Sequence, residues 1–151
     1  MWASRGPVGD RLGTDTLGSV SEQNLETVRR VFASARDFDA LAPLFHEDWE
    51  HRPVVAGSAV GAVYRGIPDG LRAYQADLAD TWERHDVVPE QLIDLADGGV
   101  LAMVRLEARG RASGVELAHQ AAVHIRFKDG KVWRSIGYRD VDEARRAVGL
   151  G

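Results

Sequence analysis

The chain has 151 residues, no cysteine and a formal net charge of −4, with 44% hydrophobic and 28% charged residues. That is the composition and length of one ordinary globular domain able to bury a core without staples. It excludes disulfides, thiolate nucleophiles and cysteine-held metals. It also argues against a nucleic-acid partner, since no basic stripe appears, and no apolar run approaches the ~20 residues of a membrane span. A reducing cytoplasm is the location that fits.

Residues 1–20 carry Gly6, Gly9, Gly13, Gly18 and Pro7 without the apolar core of a signal peptide. They read as a flexible leader, which leaves 21–151 as the folded domain. Ser19 and Glu22 have capping-box spacing, and Leu25, Val28, Val31, Phe32 and Ala35 then fall on one helical face. Asp37 or Asp39 caps a short second helix burying Phe38, Leu41, Leu44 and Phe45, with Pro43 tolerated near its start. In the extended segment that follows, Trp49, His51 and Pro53 share a parity. The stretch 56–63, rich in Gly and Ala, has no periodicity and is a candidate lid. A third helix starts at Pro68 and places Leu71, Tyr74, Leu78 and Trp82 along one stripe. Pro89 defers the next strand to about Glu90, and that strand ends before the turn Asp97-Gly98-Gly99.

Val100, Ala102, Val104, Leu106 and Ala108 then alternate with Met103, Arg105, Glu107 and Arg109. The hairpin from Leu117 to Arg139 is the clearest element. Leu117, Ala121, Val123, Ile125 and Phe127 are its apolar parity, and Asp129-Gly130 supplies a primed turn. His119 breaks the pattern by sitting on the apolar parity. Asp140 and Glu143 start a short last helix presenting Ala144, Val148 and Leu150. Helices first and strands after make a segregated α+β domain, with three helices of the N-terminal half laid on the concave face of a curved sheet.

Several pieces in this order carry a resemblance: Asn24-Leu-Glu-Thr-Val-Arg-Arg, Phe38-Asp-Ala-Leu, Phe45-His-Glu-Asp, Tyr64-Arg-Gly, Arg126-Phe-Lys-Asp-Gly-Lys-Val, Tyr138-Arg-Asp-Val-Asp-Glu-Ala and Val148-Gly-Leu. Over residues 21–150 the chain resembles SnoaL-like proteins of the nuclear-transport-factor-two-like superfamily. The resemblance implies a cone-shaped α+β fold around an apolar pocket, often homodimeric through the sheet. It covers polyketide cyclases, ketosteroid isomerases and epoxide hydrolases, so it does not choose a reaction. The carboxylates those enzymes rely on are replaced. The steroid-isomerase base aligns with Arg52 or Pro53, the second acid and the cyclase aspartate with Val123, and the epoxide-hydrolase aspartate with Gly137.

The candidate catalytic residues are therefore histidines. His119 is the expected base, neutral in an apolar cavity, and His51 the acid or orienter. Tyr74 would donate to an oxygen where charge develops. Trp49, Leu78, Trp82, Val104, Ala121 and Val123 are expected at the pocket wall. Trp133, Ser135 and Arg139 join them on the parity the family uses. His124 falls on the opposite strand face, at the surface or a dimer interface. His46, Glu47, Asp48 and His51 cluster in sequence, but alternation divides them between two faces, so neither a metal nor a cofactor is expected. Two functions stay open: proton transfer on an apolar cyclic or polyketide-like carbonyl compound, or a non-catalytic ligand-binding or assembly module.

Overall fold

The computed structural model describes residues 16–34, 36–54 and 62–150. They form α1 (Thr16–Ala33), α2 (Phe38–Leu41) running into a 3-10 turn (Ala42–Leu44), β1 (Phe45–Arg52), β2 (Tyr64–Arg65), α3 (Asp69–Thr81), β3 (Trp82–Asp94), β4 (Val100–Gly110), β5 (Glu116–Lys128), β6 (Lys131–Tyr138) and α4 (Val141–Ala147). The six strands make one open sheet in the order β2-β1-β6-β5-β4-β3. Neighbours are antiparallel except β1 and β6, which run parallel. The α+β class and the bias of helices to the N-terminal half are as the sequence implies, and the parallel β1–β6 pair makes the sheet a mixed one.

Alternation in β4 divides the sheet into two faces. Val100, Ala102 and Val104 join Val28 of α1, Trp49 of β1 and Leu71 of α3 in the main core. Leu101 and Met103 point the other way and meet Ala144, Val148 and Leu150 of α4 and the residues after it. The inner face thus carries α1 and α3, while α4 covers part of the outer face. Asn24 ties α1 to the turn between β3 and β4, its Nδ2 donating to the Gly98 carbonyl at 3.1 Å. Asp37 caps α2 by accepting the Ala40 amide, and Asp140 caps α4 by accepting the amides of Asp142 and Glu143. At the hairpin turn Asp129 (φ 54°) and Gly130 (φ 75°) both take the left-handed conformation that a primed turn requires.

Three expectations need correction, and one lies beyond the described residues. The helix expected from the Ser19–Glu22 pair already runs at Thr16, so that pair lies inside it. Ala35 and most of the 56–63 stretch lie outside the described residues. The third helix stops at Thr81, and Trp82 opens β3 rather than closing a helical stripe. Arg111 ends that helix: its amide donates to the Thr81 carbonyl at 2.9 Å, and its guanidinium donates to the carbonyls of Ala79 and Trp82 at 3.0 and 3.3 Å. Finally, β3 starts eight residues before the expected Glu90, straight through Pro89. A missing amide is tolerated there because β3 is an edge strand and its register shifts beside the proline, between Pro89 and Gln91.

A further register shift redirects Trp133. Arg126 pairs with Arg134 but Phe127 pairs with Val132, so one extra residue is accommodated at Trp133. Val132 and Ser135 both face inward, while Trp133 lies among cations. The guanidiniums of Arg134 and Arg126 and the Lys128 ammonium lie 4.2, 5.2 and 5.5 Å from its ring centroid. Arg65, Glu50 and Arg134 stand side by side in register on the outer face, and Glu50 is ion-paired with Arg52, Arg65 and Arg134 at 3.2, 3.4 and 3.2 Å.

Arg111→Ala strips two carbonyls at the end of α3 of a charged donor. It is expected to cost about 1–2 kcal/mol, read as a lower urea midpoint with an unchanged slope. An unchanged midpoint means that water serves those carbonyls equally well.

Candidate functional site

Between the inner sheet face and α1, α2 and α3 lies a cavity of about 140 Å³. Its floor is Val104 and Leu106 of β4 with Ala121, Val123 and Ile125 of β5. Leu71, Tyr74 and Leu78 of α3 form the roof, and β1 and β6 supply Trp49, His51, Ser135 and Gly137. The polar groups come from the parallel seam. Register sets His51 directly opposite Ser135, and His51 Nδ1 lies 2.8 Å from Ser135 Oγ.

Rings hold the imidazole from two sides. Its plane stacks on Trp49 at 5.5 Å, Trp49 stacks on Phe45 at 4.8 Å, and the edge-to-face contact with Tyr74 is 4.6 Å between centroids. Tyr74 leans on Tyr64 at 5.0 Å, and the Tyr64 hydroxyl donates to Asp77 Oδ2 at 2.6 Å. Asp77 is thereby kept behind Tyr64 rather than in the cavity. The Tyr74 hydroxyl has no hydrogen-bond partner among the described residues, and the buried Trp49 Nε1 has none either.

Burial governs the ionisation of these groups. It lowers His51 from 6.5 to about 4; the Ser135 contact opposes that shift without offsetting it. Burial, followed by the nearby Arg36 guanidinium, lowers His85 as well. Burial, reinforced by Tyr64, raises the Tyr74 phenol. The site therefore presents neutral imidazole and neutral phenol at physiological pH.

Of the expected wall residues, Trp49, His51, Tyr74, Leu78, Val104, Ala121, Val123 and Ser135 meet around this one cavity. Four stand elsewhere. His119 keeps the inward parity but sits opposite Leu106, off the lining, and its Nδ1 donates to the Gln120 carbonyl at 2.9 Å. Trp82 is buried at the start of β3, its Nε1 without a partner among the described residues. Trp133 is turned outward by the shift in β6, and Arg139 is exposed beyond the end of that strand. His124 is half-buried on the outer face. The sequence cluster of possible metal ligands is divided, for His46 Nδ1 accepts the Asp48 amide at 3.0 Å while His51 enters the cavity.

The site also contains His85, which the sequence reading passed over. Reading Trp82 as helix hid the signal, since His85, Val87 and Pro89 follow at strand spacing and the first two reach the cavity. Gly137, where a family carboxylate would fall, has its own constraint. A Cβ there would come within 2.5 Å of the Val54 backbone nitrogen, so the neighbouring chain occupies the space a side chain would need.

Residues 25–135 match the family model described as SnoaL-like domain. No curated protein matches the chain significantly. Among solved structures, Bal32a from a soil-derived mobile gene cassette is 22% identical, with 85% of this chain and 98% of that one covered and a TM-score of 0.65. A proposed SnoaL-like polyketide cyclase from Jannaschia sp. is 21% identical, covering 95% and 99%, also with a TM-score of 0.65. A protein of ketosteroid isomerase-like fold from Catenulispora acidiphila, solved with trimethylamine, is 18% identical, covering 83% and 94%, with a TM-score of 0.63. These structures share the fold.

Because the folded His51 resists protonation, the unfolded chain binds the extra proton between pH 6.5 and about 4. The stability His51 allows is thus present above pH 6.5 and lost as pH falls toward 4. Wild type is expected to lose on the order of 3 kcal/mol more than His51→Gln between pH 7 and pH 4. Urea titrations of both proteins at the two pH values measure this, and equal losses would show that the ring takes up a proton freely.

Proposed function

The chain belongs to the SnoaL-like domain family, and from that premise we propose that its cavity binds a small apolar carbonyl compound and moves a proton on it without a cofactor. The observation that carries this reading is His51, a neutral imidazole in an apolar cavity with one nitrogen engaged by Ser135. In the tautomer whose Nδ1–H donates to Ser135 Oγ, Nε2 is unprotonated and free to take a proton from carbon and return it elsewhere on the same molecule. Tyr74 touches the His51 ring and brings its phenol to the same cavity. A neutral phenol there donates a hydrogen bond to the carbonyl oxygen as negative charge develops. Isomerisation, cyclisation and dehydration all begin with such a step. His119 has no part in this scheme, and His85 is the second imidazole available to the ligand.

The second reading is a ligand-binding module without turnover. It is favoured by the composition of the wall, where no aspartate or glutamate stands among the described residues. An imidazole whose proton affinity is so reduced is a weak base, suited only to an acidic carbon acid.

Exchange of the α-hydrogens of cyclohexanone in D2O, followed by NMR, separates the two. The catalytic reading expects exchange faster than in buffer, a loss of roughly 10²-fold in His51→Gln, and a rate flat from pH 6 to 8 that falls as pH drops through about 4. Binding without any exchange would leave the module reading in possession of the site.

A further inference from the structure

Size, charge and the placement of polar atoms in the cavity together restrict its ligand further than the fold does. Its volume is about 140 Å³. That is close to the ~150 Å³ of an engineered apolar cavity that takes one benzene ring, and below the ~300–1,000 Å³ of sites for drug-sized molecules. Its walls have little room to retreat. Trp49, Leu71 and Val104 are almost wholly buried in the main core, and Gly137 is already closed against Val54.

No lysine, arginine, aspartate or glutamate stands among the described lining residues. Asp77 is held behind Tyr64, and Arg36 is engaged with the His85 carbonyl at 3.1 Å. A carboxylate or ammonium entering the cavity would lose its hydration with no opposite charge to replace it. Two of the polar side chains at the wall stand side by side. His51 and Tyr74 are in ring contact, and the Tyr74 hydroxyl lacks a partner among the described residues. A ligand oxygen that accepts from Tyr74 therefore stands beside the His51 ring.

We propose that the ligand is an uncharged compound of single-ring size, carrying one oxygen that accepts from Tyr74 beside His51. This rests on the reading of the cavity as the ligand site, and it excludes the fused-ring molecules that the family's cyclases and steroid isomerases would suggest. A two-ring ketone is more apolar than a one-ring ketone and would bind more tightly to an unrestricted apolar surface. Here the order is reversed.

The test titrates the full chain with phenol, benzoate, cyclohexanone and 2-tetralone at pH 7, reading Kd from NMR shifts. Phenol and cyclohexanone are expected to saturate. Benzoate is expected to bind at least about tenfold more weakly than phenol for want of a cation, and 2-tetralone at least about tenfold more weakly than cyclohexanone for want of space. Tyr74→Phe is expected to weaken cyclohexanone by roughly five- to tenfold, the effect of one hydrogen bond. Benzoate matching phenol overturns the charge selection, and 2-tetralone matching or exceeding cyclohexanone overturns the size limit. Failure of every compound to bind overturns the assignment altogether. Saturable cyclohexanone binding without α-exchange leaves the ligand class standing and removes the catalytic reading. Exchange on 2-tetralone above its rate in buffer, together with binding as tight as that of cyclohexanone, does the opposite.

Discussion

The parallel contact between β1 and β6 is the constraint on which the site depends. Every other strand pairing joins antiparallel partners, whereas this one brings a strand of the helical first half beside the last strand of the sheet. Parallel pairs cannot be closed by a tight turn, so the intervening chain must travel out and back. In doing so it lays α3 across the inner face and builds β3, β4 and β5 as the rest of the floor. The seam itself delivers the polar chemistry, because register alone sets His51 against Ser135. A slip of one residue would turn His51 and Trp49 to the outer face and bring Glu50 inward.

Aromatic rings then turn register into orientation. Phe45, Trp49, His51, Tyr74 and Tyr64 form a continuous series of ring contacts from β1 to α3 and β2. Each contact is modest, worth about 0.5–1.5 kcal/mol beyond burial. As a series they leave the imidazole little freedom. The same packing excludes water, which is why burial rather than a charged neighbour dominates the shifts of both His51 and Tyr74. Among the described residues the cavity is lined without a carboxylate.

Much of this was legible in the sequence, and the failures have physical causes. Period-two runs are unambiguous where only one face is buried against the main core, so β4, β5 and their turns were readable, as was the inward parity of Trp49 and His51. Trp82 misled because an apolar residue four after Leu78 extends a helical stripe, while the event that stops the helix is a contact from Arg111, remote in sequence. Pro89 misled because the rule against proline in strands holds for interior strands, and edge position is a property of topology. Trp133 misled because a single extra residue inverts parity locally, and nothing in the composition of β6 marks where it sits. His119 has the right parity and the wrong height along its strand, a quantity that alternation does not report.

The proline in β3 has a bearing beyond the reading of the chain. An open sheet has two edges, and an unpaired edge strand can recruit another chain. At one end β2 is only two residues long, too short to template a partner. At the other, β3 is 13 residues long and presents Val88 half exposed, which would be a hazard for ordered aggregation. Pro89 removes an amide from the middle of that edge, and the register shifts on both sides of the stretch from Arg84 to Pro89 bend its hydrogen-bonding row out of line. The residue that breaks the strand rule thus serves as a guard, allowing the floor of the cavity to end in a long free strand without that strand becoming the first layer of a fibril.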